Sequence, residues 1–369
     1  MLAIDFGERS IKAIKISQRK NGFHLDNFGL ILTPPDSIAL GVIKDEQAVT
    51  VALHKLLHKK HMYDRNGSIA ITGQKVIVRE IVTPLMNEKE LAEGIHWEAP
   101  KYIPYDLKNS LIDAKKIEEM EEVEGNKMMR VLLVAAPKDL IQQSINILKK
   151  LKINPKVVDV IPCANMRAFE NYLVPENKNE EGNQIDIILS IGSSTTEIAL
   201  VEGDQLKFTR MIPKGGRDIS QLLAKNMNIP FNQAEKLKRR IGIVLEEKEQ
   251  DQKDSSEQET QKQSEIPKKE EISELIKTGT FDIFNDIRKS LNYYKTQYQK
   301  VNYNRIILTG GSSSLPNIAH LLKSQFGITI IIANPLQGLT INENGLDINI
   351  LDKYKRTLAT AIGLAKRVR

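Results

Sequence analysis

The chain has 369 residues, with 53 Lys and Arg against 47 Asp and Glu, a formal charge of +6. At roughly 100–200 residues per domain, this length predicts two or three domains with a substantial core, and the 41% hydrophobic content excludes a chain that is disordered overall. The 27% of charged residues are of both signs, which argues against a dedicated nucleic-acid binder, and a single cysteine, Cys163, excludes an intrachain disulfide or a thiolate metal site and suits a reducing cytoplasm.

Met1 to Gly7 runs directly into an alternating strand pattern, without the basic and then apolar leader of a signal peptide. No apolar stretch approaches the ~20 residues that span a bilayer, so a membrane role is expected only through partners. Residues 2–32 predict a three-stranded meander, with a turn at Gly7 to Ser10 and a hairpin at Asn21-Gly22. A helix is expected over 46–62, with Val49, Ala52, Leu53, Leu56 and Leu57 on one face, followed by strands near 67–73 and 75–83. Residues 84–158 read as a separate small α+β unit. It has a helix capped by Asn87, breaks at Pro100 and Pro104, strands near 110–118 and 128–135, a helix from Pro137, and a closing strand at 156–160. Residues 159–184 then return to the first half.

A second meander starts at Ile185, and 185–369 form the second half. Asp5-Phe6-Gly7-Glu8-Arg9-Ser10 falls over Ser190-Ile191-Gly192-Ser193-Ser194-Thr195, and Asn21-Gly22 is answered by Glu202-Gly203-Asp204. The identity is thin, but the order of strands and turns repeats, and two related halves facing each other make a cleft. Within the second half, 246–272 is Glu, Gln, Lys and Ser with little apolar content, and is expected to be a disordered insertion. An amphipathic helix at 280–300, a strand at 305–308, a glycine turn at 309–314, a helix from Pro316, a strand at 328–332 and a last helix over 355–367 complete the chain.

Three turns carry the candidate chemistry. The first sets Asp5 at a strand end with Gly7, Ser10 and Lys12 beyond it. Glycine lets backbone N–H groups approach a phosphate, and Asp5 is placed to hold Mg2+ through water. The Asp5-Phe6-Gly7 triplet is not a kinase motif, because no His-Arg-Asp catalytic loop accompanies it. The second turn, Gly192-Ser193-Ser194-Thr195, repeats the arrangement with added hydroxyls. The third, Gly310-Gly311-Ser312, lies between a strand and Pro316, expected in the first turn of a helix. Glu235 and Lys238, one helical turn apart, are candidates for a ribose or a base, with a surface ion pair as the plain alternative.

At these residues the chain resembles the actin-like ATPase superfamily, in the branch that holds FtsA and PilM, and within it the PilM family of type IV pilus assembly. The carriers are Trp97 to Tyr105, Val131 to Ala136, Ile287 to Tyr294 and Leu308 to Pro316, and the resemblance spans the chain apart from 246–272. It implies an α/β, actin-like (ribonuclease H-like) duplicated fold with an inserted small α+β subdomain, and ATP with Mg2+ in the central cleft. It also implies docking of the short cytoplasmic N-terminal tail of PilN, in a groove between the N-terminal subdomain and the inserted one. Through PilN it implies an indirect link to PilO and the motor, at the inner face of the cytoplasmic membrane.

One departure stands out. The second turn of that family begins Asp-Ile-Gly, whereas this chain has Ser190-Ile191-Gly192. A serine supplies no carboxylate for a metal-bound water, so nucleotide binding is expected to outlast hydrolysis. Asp159 is the substitute considered, against the plainer reading of a charged strand end.

Other features have bland readings. His54, His58 and His61 have metal-ligand spacing but sit among lysines. The basic residues 236–240 and 366–369 suit anionic headgroups or plain solvation. Trp97 suits a partner anchor or the core alike. The alternatives carried are an FtsA-like division protein, whose C-terminal amphipathic helix has no counterpart before Arg369, and a small-molecule kinase of the same fold, for which the 84–158 unit has no polar acceptor cluster.

Overall fold

The computed structural model describes residues 1–105, 107–120, 127–173, 183–245, 269–298, 301–342 and 345–367. The elements are, in order, β1 (Leu2–Phe6), β2 (Ser10–Arg19), β3 (Gly22–Leu32), β4 (Ile38–Ala39), β5 (Val42–Ile43), α1 (Glu46–Lys59), β6 (Asn66–Ile71), β7 (Ile77–Pro84), α2 (Glu88–Glu98), β8 (Ser110–Glu119), β9 (Met128–Pro137), α3 (Lys138–Lys150), β10 (Asn154–Val160) and α4 (Ile161–Ala168). The second half adds β11 (Asn183–Ile191), β12 (Thr196–Glu202), β13 (Gln205–Ile212), α5 (Gly216–Asn226), α6 (Phe231–Ile241), α7 (Lys269–Gln297), β14 (Val301–Thr309), α8 (Ile318–Phe326), β15 (Thr329–Ile332), β16 (Leu339–Ile341), α9 (Ile348–Tyr354) and α10 (Ala359–Lys366).

Alternation in the two meanders dictates two antiparallel hairpin sets, each extended by parallel strands that need a helical crossover. One sheet has the order β10-β6-β1-β2-β3-β16, with β6 parallel to β1 and β10 parallel to β6. The other has the order β15-β14-β11-β12-β13-β7-β9-β8, with β14 parallel to β11 and β15 parallel to β14. The stripe Val49, Ala52, Leu53, Leu56 and Leu57 of α1 is buried against Leu2, Ile4 and Ile11. Asn87 accepts from the N–H groups of Lys89 and Glu90 while Glu90 accepts from its own N–H, a full capping box that starts α2 where the sequence places it.

Several elements lie elsewhere than the sequence suggests. The strand expected to close the inserted unit, β10, pairs with β6 in the first sheet, and α3 buries Ile147 and Leu148 in the same core as α1. Conversely β7, placed in the first half by the sequence, pairs with β9 along its length and touches β13 through Phe208 and Arg79. The crossover rule explains this: α3 is the connection that β6 and β10 need in order to run parallel. The C-terminal half sends β16 back to the first sheet beside β3. Helix α7 begins at Lys269, not 280, and Ile272 and Ile276 are fully buried, so 269–272 is a helical turn rather than insertion; residues 246–268 lie outside the described ones. Pro316 precedes α8 rather than opening it, because Asn317 takes a left-handed φ of 63° at the cap. The last helix, α10, is shorter than the 355–367 expected, and α9 before it lies where no helix was expected.

Between the two sheets, α4 and α10 cross with small residues at the contact. Ala164, Ala168, Ala361 and Ala365 are buried there with Ile362 and Leu364, against Ala70 and Ile71 of one sheet and Ile188 and Ile307 of the other. Gly363 sits at the closest point, where an added Cβ would lie 1.7 Å from the Ala164 carbonyl oxygen. Gly363→Ala must therefore push the helices apart; urea unfolding is expected to show a loss of about 2–3 kcal/mol, at the upper end for overpacking, and an unchanged midpoint would refute this tight crossing.

Candidate functional site

The two sheets bring the three glycine turns next to one another: Glu8 of the first meets Ser194 of the second, and Ser312 of the third meets Gly192. In the first, Asp5 and Lys12 face each other across β1 and β2, and Lys12 Nζ donates to Asp5 Oδ2 at 2.9 Å. A Cβ on Gly7 would lie 2.5 Å from that Nζ and 2.8 Å from the Ser10 carbonyl oxygen, so this cradle admits only glycine. In the second, Gly192 N–H donates to the Thr195 carbonyl (2.8 Å), closing a tight turn on which α5 is built: Gly216 N–H donates to the Gly192 carbonyl (3.0 Å) and Arg217 N–H to the Ser193 carbonyl (2.7 Å). In the third, Gly310 takes a φ of 88°, which favours glycine, with its Cβ position 2.5 Å from the Ile191 carbonyl oxygen. Ser312 Oγ donates to the Gly192 carbonyl at 3.1 Å and joins the third turn to the second.

Glu235 and Lys238 lie directly beneath, on α6. They are not a surface pair: Lys238 Nζ is 2.8 Å from Glu235 Oε2 with both side chains largely buried. Lys238 also donates to the Gly216 carbonyl, Ser220 donates its hydroxyl to Glu235, and Arg239 Nε lies 2.7 Å from Glu235 Oε1. Burial alone would raise the Glu235 carboxyl, but Lys238, Ser220 and Arg239 outweigh it and hold it at about 2. Burial lowers Lys238 against the pull of Glu235. This cluster fixes the start of α5 behind the second turn.

The predicted residues of turns two and three thus form one contiguous surface with Glu235 and Lys238, and turn one reaches it through Glu8. The Glu8 carboxylate accepts from Ser194 Oγ and pairs with Arg217 Nη1 at 3.3 Å. Asp159 stands apart. It is held by Arg167 of α4 and by Arg367, 2.9 Å away, and accepts from the Val160 N–H, so it is a structural ion cluster at the helix crossing and no substitute for a carboxylate at 190. Burial, aided by Asp159, pushes the neighbouring Cys163 thiol up to about 12 and leaves it unreactive.

Sequence reasoning missed Glu197. It faces Ser190 across β11 and β12, so their side chains share a face, and it is buried with the Thr72 hydroxyl donating to it from the first half. The repeat itself contained the signal: with Asp5 over Ser190, Lys12 falls over Glu197. Burial, only partly offset by Thr72, raises Glu197 to about 7.

The donor chemistry fits a nucleotide triphosphate. Glycine cradles, the hydroxyls of Ser10, Ser193, Ser194, Thr195 and Ser312, and the Lys12 ammonium suit phosphate oxygens. Asp5 offers a carboxylate to an ion that keeps its waters and phosphate ligands. No group of three or more His, Cys, Asp or Glu suited to a metal occurs among the described residues, and His54, His58 and His61 are exposed on or just past α1. Trp97 is 83% exposed and so is not core. No helix among the described residues is long and apolar enough to cross a membrane.

This duplicated architecture, with glycine turns from both halves in contact, is the actin-like fold. The solved PilM–PilN type IV pilus biogenesis complex superposes with a TM-score of 0.81 at 24% identity, covering 99% of this chain and 97% of that one. The ethanolamine utilization protein EutJ of Carboxydothermus hydrogenoformans superposes at 0.52 and 13% identity, covering 99% and 88%. The sequence profile described as type IV pilus assembly protein PilM matches residues 3–251, and the chain belongs to that family. The profile of cell division protein FtsA matches 187–363. FtsA of Enterococcus hirae is 27% identical over 237 residues, 64% of this chain but only 51% of that protein's length. FtsA of Staphylococcus epidermidis is 23% identical over 360 residues, 91% and 74% of the two.

Glu197 makes the cleft sensitive to pH. Its folded-state pKa of about 7 lies above the 4.5 of the open chain, so between those values the folded state binds the extra proton, and stability falls as pH rises from 4.5 to 7. Glu197→Gln is expected to unfold later than the parent at pH 8, by on the order of 2 kcal/mol, and to match it at pH 4. An equal shift at both pH values would show that folding leaves the Glu197 carboxyl at its ordinary pKa.

Proposed function

We propose that the chain is an ATP-binding scaffold of type IV pilus assembly that docks the cytoplasmic N-terminal tail of a PilN-type membrane protein. Through that protein it would connect the inner-membrane complex, PilO included, to the motor, and it would sit at the inner face of the membrane by this attachment. The observation that carries the reading is a groove of about 850 Å3 between the β4–β5 hairpin and the inserted unit. Leu40, Val42, Tyr105, Pro137 and Leu140 wall it with apolar surface. Lys44, Lys75 and Lys138 stand around it against Asp139, and suit the carbonyls or carboxylates of an extended segment. The Tyr105 hydroxyl donates to the Lys75 carbonyl at 2.6 Å, so the ring is already set in position and little ordering is needed on binding.

ATP belongs in the cleft, its phosphates on the turns at Gly7, Gly192 and Gly310 with Ser10, Lys12, Ser193, Ser194, Thr195, Gly311 and Ser312. When bound, Mg2+ neutralises phosphate charge, with Asp5 the carboxylate placed to reach its water shell. Glu235 and Lys238 support the second turn from behind, with ribose contact secondary to that role. Hydrolysis is slow on this reading. Ser190 brings no carboxylate, and Glu197 beside it is buried and occupied by the Thr72 hydroxyl.

Two measurements test the proposal. Incubation with Mg2+ and labelled ATP followed by rapid desalting should recover intact ATP; retained ADP would refute slow hydrolysis, and no nucleotide would refute the cleft assignment. A synthetic tail peptide should bind the parent, and Tyr105→Ala should weaken it about tenfold or more, as for a truncated aromatic anchor. An unchanged affinity would move the tail to another surface.

A further inference from the structure

Glu8 lies in the first glycine turn, yet none of its acceptor bonds is to that turn. Oε1 receives the Ser194 hydroxyl and lies 3.3 Å from Arg217 Nη1, both in the second half. Oε2 receives the backbone N–H of Leu40 at 3.2 Å. The carboxylate is only slightly exposed. A hydroxyl and a guanidinium converging on one anion beside a glycine turn is the donor set of a phosphate site, and here a side chain of the protein fills it.

The other end of the contact is unusual as well. Leu40 and Gly41 form the two-residue turn between β4 and β5, with φ of 49° and 81°. Such a turn requires positive φ at both positions and prefers Asn or Gly there. A leucine at the first position is held against its own preference, at a cost of about 1–2 kcal/mol. The Glu8 bond to its N–H is one restraint that holds it. The Thr72 backbone behind Gly41 is a second, since a Cβ on Gly41 would lie 2.7 Å from the Thr72 carbonyl oxygen. Leu40 in turn walls the 850 Å3 groove. One carboxylate thus touches both the phosphate side of the cleft and the wall of the groove.

We propose that Ser194 and Arg217 form a phosphate subsite for the nucleotide, that Glu8 is its internal stand-in, and that a phosphate entering there releases Leu40, so that nucleotide and tail oppose each other's binding. The inference rests on the function proposed above. Two anions do not share one guanidinium and one hydroxyl at this distance without repulsion. Phosphate therefore displaces Glu8, and the Leu40 turn loses the restraint that keeps its strained geometry. Linkage makes the effect mutual: a tail seated on Leu40 favours the Glu8-bound state and weakens nucleotide by the same factor.

The test is a tail-peptide titration of the full chain, with and without saturating ATP and Mg2+, using a synthetic peptide of the cytoplasmic tail of the PilN-type protein from the same organism. The parent should bind peptide about tenfold more weakly with nucleotide, within the usual range of coupling between sites. Glu8→Ala should bring the two affinities within about twofold of each other. Glu8→Gln keeps one acceptor, for the Leu40 N–H, turns an NH2 toward Ser194 and removes the charge facing Arg217, and should bind ATP more tightly than the parent while remaining folded. Arg217→Gln should lower ATP affinity about tenfold, the loss of one charge-assisted bond. Equal peptide affinities in the parent, tighter peptide binding with ATP, or an Arg217→Gln variant with parental ATP affinity would each overturn the proposal while leaving the scaffold reading intact. A parent that binds no peptide or no nucleotide would overturn both.

Discussion

The crossing of α4 and α10 sets the relation on which everything else depends. Two sheets that each bury one face need a third layer between them, and here that layer is two short helices brought together by Ala164, Ala168, Ala361, Gly363 and Ala365. Larger residues at the contact would widen it and carry the turns at the sheet ends away from each other. Glu8 could then not reach Ser194 in the other half. Arg167 and Arg367 add an ionic clamp on Asp159 at the same crossing. The clamp ties the end of β10 to both helices, which is why this carboxylate serves the hinge and not the cleft.

Across the cleft itself, the two halves meet through polar contacts rather than apolar packing. Glu8 reaches Ser194 and Arg217, and Thr72 reaches Glu197. Such contacts exchange readily for water or for a ligand's oxygens, because the net gain of one hydrogen bond is only about 1 kcal/mol. Tight apolar packing at the helix crossing thus stands beside a seam of polar bonds between the halves. The buried ion cluster of Glu235, Lys238 and Ser220 belongs to the rigid part: it stays within one half and holds the N-terminal turn of α5 against the second glycine turn.

What was legible in the sequence follows from distance along the chain. The glycine turns, the Asn87 cap and the stripe of α1 are local, set by φ preferences, short hydrogen bonds and a 3.6-residue period, and they appear where the pattern places them. The internal repeat made the fold class legible too, because a duplicated meander needs a partner. Glu8 and Glu197 were not legible from their local sequence, since the groups that define them lie 186 and 125 positions away, and only the repeat, which sets Lys12 over Glu197, pointed to the second. Their neighbours in sequence, a turn and a strand, give no sign of them. The start of α7 was obscured by composition. Glu270 and Glu271 resemble the charged run before them, yet they suit the positive end of a helix, and Ile272 and Ile276 carry the period. The assignment of β10 and α3 to the inserted unit failed because proximity in sequence does not decide which sheet a parallel strand joins.

The exchange of residues within the repeat shows how the two turns differ in kind. At matching places the first turn has Asp5 and Lys12, an ion pair already closed at 2.9 Å, and the second has Ser190 and Glu197, with no cation between them. The first turn therefore presents a buried cation already paired with its carboxylate. The second presents hydroxyls and backbone, and its one acid is shielded, raised to about 7 and occupied by Thr72 from the opposite half. An arrangement of this kind favours holding a charged ligand over activating a water against it, since the Glu197 carboxyl is buried and taken up by the Thr72 hydroxyl. Duplication supplied two matching positions that now differ: one half carries a closed ion pair, the other a carboxyl bonded across to the first half.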